Sequence, residues 1–215
     1  MRAPPARLLV VTDRHQARRP LPELVADLLD AGVRWVWLRD RDLPGDERRI
    51  LAASLGAAVR SYPGAALTIG ADADLAAETG AVGVHLRSAD TVADARRRLG
   101  ARALIGVSAH TLDDARAAAR AGADYVTLSP IFASASKPGY GPALGIAALR
   151  EARPIGLPVV ALGGVTAGTA PACLDAGAAA VAIMGEAMRE GAAIFQNEGW
   201  LPFRGPATMP VQPIR

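Results

Sequence analysis

Two glycine corners late in the chain carry the clearest chemical signal. Gly163-Gly164 follows the apolar run Pro158–Leu162, and Gly185 follows the apolar run Ala179–Met184. An apolar run, then glycine, then a helix-like segment presents bare backbone N–H groups at the positive end of a helix dipole. Two such corners side by side can hold one phosphate. The other residues suited to chemistry also stand at or just past apolar runs. They are Asp13, Arg14 and His15; Arg39 and Arg41; Asp72 and Asp74; His85, Arg87, Ser88 and Asp90; and Ser108 and His110. The polar stretch 129–142 adds Ser134, Ser136 and Lys137. Cations, hydroxyls and free amides dominate this set, which suits phosphate or pyrophosphate held by charge-assisted hydrogen bonds. Plainer roles exist for several members. His85 lies inside an apolar run and reads as a packed histidine. Arg39 beside Asp40 reads as an ion pair, His15 as exposed, and Asp90 as a helix N-terminal residue facing the dipole.

Placing these residues on one rim requires strict alternation of strands and helices. Strand-like runs occupy 8–12, 33–38, 66–69, 82–86, 103–107, 125–128, 158–162 and 179–184. Helical periodicity or composition occupies 20–30, 44–59, 72–79, 91–99, 111–121, 144–153 and 186–195, and Thr166 is a cap for a further helix. An internal echo supports the alternation. Ala31-Gly-Val, Thr79-Gly-Ala, Ala121-Gly-Ala and Ala176-Gly-Ala each end a helix at glycine and open a buried strand. Apolar strands alternating with helices predict a parallel sheet covered on its faces. Eight units favour a closed barrel, and no G-x-G-x-x-G follows the first strand. The expected fold is therefore α/β, a single-domain (β/α)8 TIM barrel over residues 1–195. Its chemistry would gather at the C-terminal strand ends, with the phosphate after strands 7 and 8. Residues 196–215, with four prolines, read as a non-catalytic tail that Trp200 and Phe203 can dock.

Composition removes several function classes. The 215 residues are 51% hydrophobic but only 4% aromatic, so small aliphatic side chains fill the core. The net charge is +3, with Arg and Asp interspersed and no basic face carrying aromatics, which argues against nucleic acid. No apolar run reaches membrane-spanning length, and the N-terminus lacks a signal-like apolar segment. The lone Cys173 allows no internal disulfide. A cytoplasmic enzyme on a small anionic substrate, possible as a homo-oligomer, is the expectation.

Six motifs in register resemble one family. They are Val36-Trp-Leu-Arg39, Gly83-Val-His-Leu86, Gly106-Val-Ser-Ala-His-Thr111, Gly122-Ala-Asp-Tyr-Val126, Ser129-Pro-Ile-Phe132 with Ser134-Ala-Ser-Lys-Pro138, and Val160-Ala-Leu-Gly-Gly-Val165. Together they look like the thiamine-phosphate synthase/TenI family over residues 8 to 190. The resemblance implies a barrel acting on hydroxyethylthiazole phosphate. The synthase branch joins it to hydroxymethylpyrimidine pyrophosphate and releases pyrophosphate with Mg2+. By resemblance, Arg39, Arg41, Ser134 and Ser136 bind the pyrophosphate side. Gly163, Gly164, Met184 and Gly185 bind the thiazole phosphate. Ser108, His110 and Lys137 are the catalytic candidates, and Asp90 and Asp72 the metal candidates. The chain departs from the family in two places. Trp37-Leu-Arg39-Asp40-Arg41 replaces Gln-x-Arg-Glu-Lys, and Gly70-Ala71 replaces Asn-Asp, whose Asp is a metal ligand. Two alternatives follow: a TenI-type thiazole tautomerase that needs no metal and uses His110 as proton shuttle, and a non-catalytic barrel that binds a phosphorylated ligand.

Overall fold

The computed structural model describes residues 2–133, 142–196 and 200. Eight parallel strands close on themselves in sequence order. They are β1 (Leu8–Val11), β2 (Trp35–Leu38), β3 (Ala66–Gly70), β4 (Gly83–Leu86), β5 (Leu104–Ala109), β6 (Tyr125–Leu128), β7 (Val159–Ala161) and β8 (Ala180–Ile183). The helices between and after them are α1 (Leu21–Asp30), α2 (Gly45–Arg60), α3 (Ala73–Thr79), α4 (Val92–Leu99), α5 (Leu112–Ala121), α6 (Gly145–Ala152), α7 (Ala170–Asp175) and α8 (Gly185–Glu190). The chain has the expected (β/α)8 TIM-barrel fold.

Successive strand residues point to opposite faces, and the chain uses both. Leu8, Val10, Val36, Leu38, Val126 and Leu128 pack outward against the helices. Leu9, Val11, Trp35, Trp37, Leu104, Tyr125 and Val160 fill the interior. Trp35 meets Tyr125 edge to face, with ring centroids 5.0 Å apart. Small residues such as Ala180 and Ala182 leave room for those rings. The outer layer is fully buried at Leu24, Leu28 and Leu55, each worth about 1.5–3 kcal/mol of transfer from water.

Two details differ from the sequence expectation. Thr166 does not cap α7. It opens a turn in which Thr169 N–H and Ala170 N–H donate to its carbonyl, at 3.1 and 2.9 Å. Thr169 Oγ1 accepts from Thr166 N–H, and a proline in the first turn starts the helix at Ala170. The helix expected over 186–195 is two pieces, α8 and a 3-10 stretch Gly191–Gln196, separated at Gly191 with φ 57°. Trp200, from the segment expected to be a tail, is fully buried in the outer core. Among the described residues no helix is long and apolar enough to cross a membrane.

Candidate active site at the barrel mouth

The glycine corner after β7 is shaped by the loop after β6. Phe132 N–H donates to the Gly163 carbonyl and Ile131 N–H to that of Leu162, both at 2.9 Å. Gly163 and Gly164 both have positive φ, 91° and 64°. A Cβ on Gly163 would lie 2.8 Å from Pro130 Cα, and one on Gly164 2.4 Å from the Ala133 carbonyl oxygen. Glycine is thus required for dihedral angle and for space at once. The amides of Gly163, Gly164 and Val165 find no acceptor among the described residues. These are the donors a phosphate oxygen wants. Gly185 starts α8 directly after Met184, so the second corner stands at the expected place.

Ser108 ends a chain of polar groups inside the barrel. Tyr125 Oη lies 2.9 Å from His85 Nδ1. His85 Nε2 lies 3.1 Å from Ser108 Oγ and 3.3 Å from Thr127 Oγ1. Register explains the meeting, since His85 pairs with Gly106 and Ser108 with Thr127 on adjacent strands. His85 is 1% exposed, and burial, helped by the charge of Arg41, pushes its pKa down to about 3. The imidazole is therefore neutral, and it holds the Ser108 hydroxyl at the mouth instead of exchanging protons. Tyr125 and Thr127 lie inside β6, not at its C-terminal end, so strand ends alone do not point to them. Their alternation along β6 is the signal that would have found them.

His110 is held from two sides. Asp114 accepts from its backbone N–H at 2.9 Å and forms a capping box with Thr111 at the start of α5. Its Nδ1 lies 2.8 Å from the Ser129 carbonyl. A carbonyl only accepts, so Nδ1 carries the proton and Nε2 is the basic nitrogen. Ser134, Ser136 and Lys137 fall outside the described residues.

The rim over β1 to β4 is a web of arginines. Arg39 Nη2 pairs with Asp13 at 2.8 Å, not with Asp40. Asp40 is buried and accepts from Thr12 Oγ1 at 2.5 Å and Arg14 N–H at 2.7 Å, tying β1 to β2. His15 pairs with Asp42 at 2.7 Å. Arg48, a residue of α2 that no strand-end reading reaches, donates to the Gly70 carbonyl, the Asp40 carbonyl and Asp72. Arg41 and Arg87 have no acceptor or carboxylate partner among the described residues.

The metal candidates do not assemble a magnesium site. Asp72 Oδ1 caps α3 by accepting from Leu75 N–H, and its Oδ2 takes Arg48 at 2.9 Å. Asp90 sits in a short 3-10 turn, where Ser88 Oγ donates to it at 2.8 Å. Among the described residues no three His, Cys, Asp or Glu side chains gather as metal ligands. Ala71, where the family carries a metal Asp, has φ 54°. That left-handed geometry suits Asn or Asp better than Ala. The backbone that would present the carboxylate is present, and the carboxylate is not. Trp37 explains its neighbour. A Cβ on Gly70 would lie 3.1 Å from Trp37 Nε1 and 2.9 Å from the Leu38 carbonyl oxygen. The indole packs against the His85 ring, with centroids 3.9 Å apart and planes tilted by 39°, in space that a side chain at position 70 would need.

Residues 8–187 match the family described as thiamine monophosphate synthase. The chain belongs to that family. It is 42% identical over 182 residues to the thiamine-phosphate synthase of Nitrosococcus oceani, covering 83% of each chain. It is 40% identical over 188 residues to that of Methanoculleus marisnigri, covering 86% of this chain and 88% of the relative. Among solved structures, a thiamine phosphate pyrophosphorylase from Pyrococcus furiosus superposes with a TM-score of 0.76 at 26% identity, over 90% of this chain and 95% of that one. Relatives under 25% identical, such as a KDPGal structure at 18%, share the fold alone.

Proposed function

We infer that the chain is a thiamine-phosphate synthase, a transferase that joins a phosphorylated thiazole to a pyrimidine pyrophosphate. The observation that carries this reading is similarity near 40% to proteins of that name across most of the barrel, and the two glycine corners after β7 and β8 support it. In the reaction, the bond between the pyrimidine methylene carbon and the pyrophosphate oxygen breaks, and pyrophosphate leaves with the electron pair. The thiazole nitrogen gives its lone pair to that carbon and becomes the thiazolium of thiamine phosphate. No proton has to move. The protein's contributions are position and electrostatics. The amides of Gly163, Gly164 and Val165, with the Gly185 corner, hold the thiazole phosphate. Ser108, fixed by neutral His85, presents its hydroxyl at the barrel mouth. Trp37, only 6% exposed, packs its indole against His85 beneath this hydroxyl.

One observation favours the thiazole tautomerase instead. Ala71 lacks the carboxylate, while His110 has a defined basic Nε2 for proton transfer. The names of the relatives weigh for the synthase. Incubation of purified protein with both substrates tests the choice. Thiamine phosphate should form, and it should not form from the thiazole phosphate alone.

A further inference from the structure

We propose that this chain binds the pyrophosphate group through an arginine site centred on Arg41 and Arg87, without a magnesium ion. The proposal rests on the synthase reading for its ligand, and on this chain's own residues for the site.

Pyrophosphate carries several negative charges, and a protein must meet them with a metal or with fixed cations. On the rim after β2, β3 and β4 this chain has exchanged one for the other. Ala71 has no carboxylate, and both oxygens of Asp72 are engaged. In the same sector stand four guanidinium groups. Arg39 and Arg41 follow β2, Arg87 follows β4, and Arg48 reaches over from α2 to the Gly70 carbonyl. The strand registers bring them together. Leu38 pairs with Ile69 and Gly70 with His85, so the rims of β2 and β4 flank the Gly70-Ala71 turn.

The four differ in one respect. Arg39 is neutralised by Asp13, and Arg48 by Asp72. The carboxylates in the cleft beside Arg41 are all taken, Asp72 by Arg48, Asp74 by Arg98 and Glu78 by Arg49. Arg41 and Arg87 are left with no anionic partner among the described residues. Although Arg41 stands on the exposed rim, its pKa is lowered, first by partial burial of its guanidinium and then by Arg87, Arg39 and Arg48. Like charges gathered on one rim repel, and a bound polyanion relieves the repulsion. Guanidinium also matches phosphate oxygens with two parallel hydrogen bonds, which a hydrated ammonium does not.

Titration calorimetry with inorganic pyrophosphate tests this, using the full chain in EDTA and again with excess Mg2+. Metal-free binding should persist within roughly threefold of the value with Mg2+, and Arg41→Ala and Arg87→Ala should each weaken it roughly tenfold. Arg87→Lys should lose less than Arg87→Ala. Both side chains are exposed, so unchanged thermal melting would confirm that the variants fold. Binding seen only with Mg2+, or metal-free binding indifferent to Arg41→Ala and Arg87→Ala, would overturn the proposal. Turnover with both substrates is measured in parallel. Turnover that stops in EDTA counts against the arginine site. Absence of turnover with and without Mg2+, beside intact metal-free binding, counts against the synthase reading and leaves the arginine site standing.

Discussion

Gly164→Ala tests the phosphate corner at a single atom. The added Cβ would lie 2.4 Å from the Ala133 carbonyl oxygen and 2.8 Å from Phe132 Cβ, at φ 64°. The left-handed dihedral costs an L-residue roughly 1–2 kcal/mol. Overpacking against a fixed neighbour adds about 1–3 kcal/mol. The sum is about 2–5 kcal/mol if the corner keeps its shape. If the loop after β6 moves instead, the loss passes to the ligand, because that loop and the corner share the hydrogen bond from Phe132 to Gly163. Urea unfolding reads the first outcome and KM for the thiazole phosphate reads the second. At about 1.4 kcal/mol per factor of ten, a loss of 2–3 kcal/mol in binding raises KM roughly 30- to 150-fold. Gly168→Ala is the control, since its Cβ would meet nothing nearer than Thr166 Oγ1 at 3.9 Å, and it should change either quantity by less than about 0.5 kcal/mol. A Gly164→Ala variant with wild-type stability and wild-type KM would refute the corner as a tight phosphate cradle.

Further outcomes follow from the same structure. His85 has a pKa near 3 when folded and an ordinary one when unfolded, so between those values the unfolded chain binds the extra proton. Its contribution to stability is complete above about pH 6.5 and is lost as pH falls toward 3, at about 1.4 kcal/mol per unit. His85→Gln should flatten that part of the unfolding profile, and an unaltered slope would contradict the buried neutral imidazole. Gly70→Ala should destabilise by about 1–3 kcal/mol, less in a Trp37→Leu background, and a coupling below about 0.5 kcal/mol in the double-mutant cycle would separate the two sites. In a synthase, His110→Ala should lower kcat less than about tenfold, whereas a general acid–base role would cost roughly a hundredfold or more. Trp200→Ala should cost about 3–5 kcal/mol in urea unfolding, because the side chain is fully buried.

The parts of the site that the sequence made legible are those set by local pattern. Gly163-Gly164 and Gly185 follow apolar runs, and Ser108 and His110 are two apart at one strand end, so strand–turn–helix logic places all of them. The missed parts depend on partners distant in the chain. Thr166 looks like a cap until Thr169 and the following proline are seen to claim the helix start. Asp72 looks free until Arg48 arrives from α2. Gly70 looks like a plain loss of a side chain, yet a Cβ there would meet the Leu38 carbonyl and the Trp37 indole, both more than thirty residues earlier. Arg39 has an acidic neighbour in sequence, but the barrel gives it Asp13 from the adjacent strand. Pairings across neighbouring units decide these cases, and no window of one unit contains them.

The central claim is that this barrel transfers a pyrimidine methylene from pyrophosphate to a thiazole phosphate. Phosphorus NMR of one reaction mixture containing both substrates tests it most directly. Thiamine phosphate and pyrophosphate should appear in equal amounts, with neither formed when either substrate is left out. Consumption of the thiazole phosphate alone, or no new phosphorus signal at all, would contradict it.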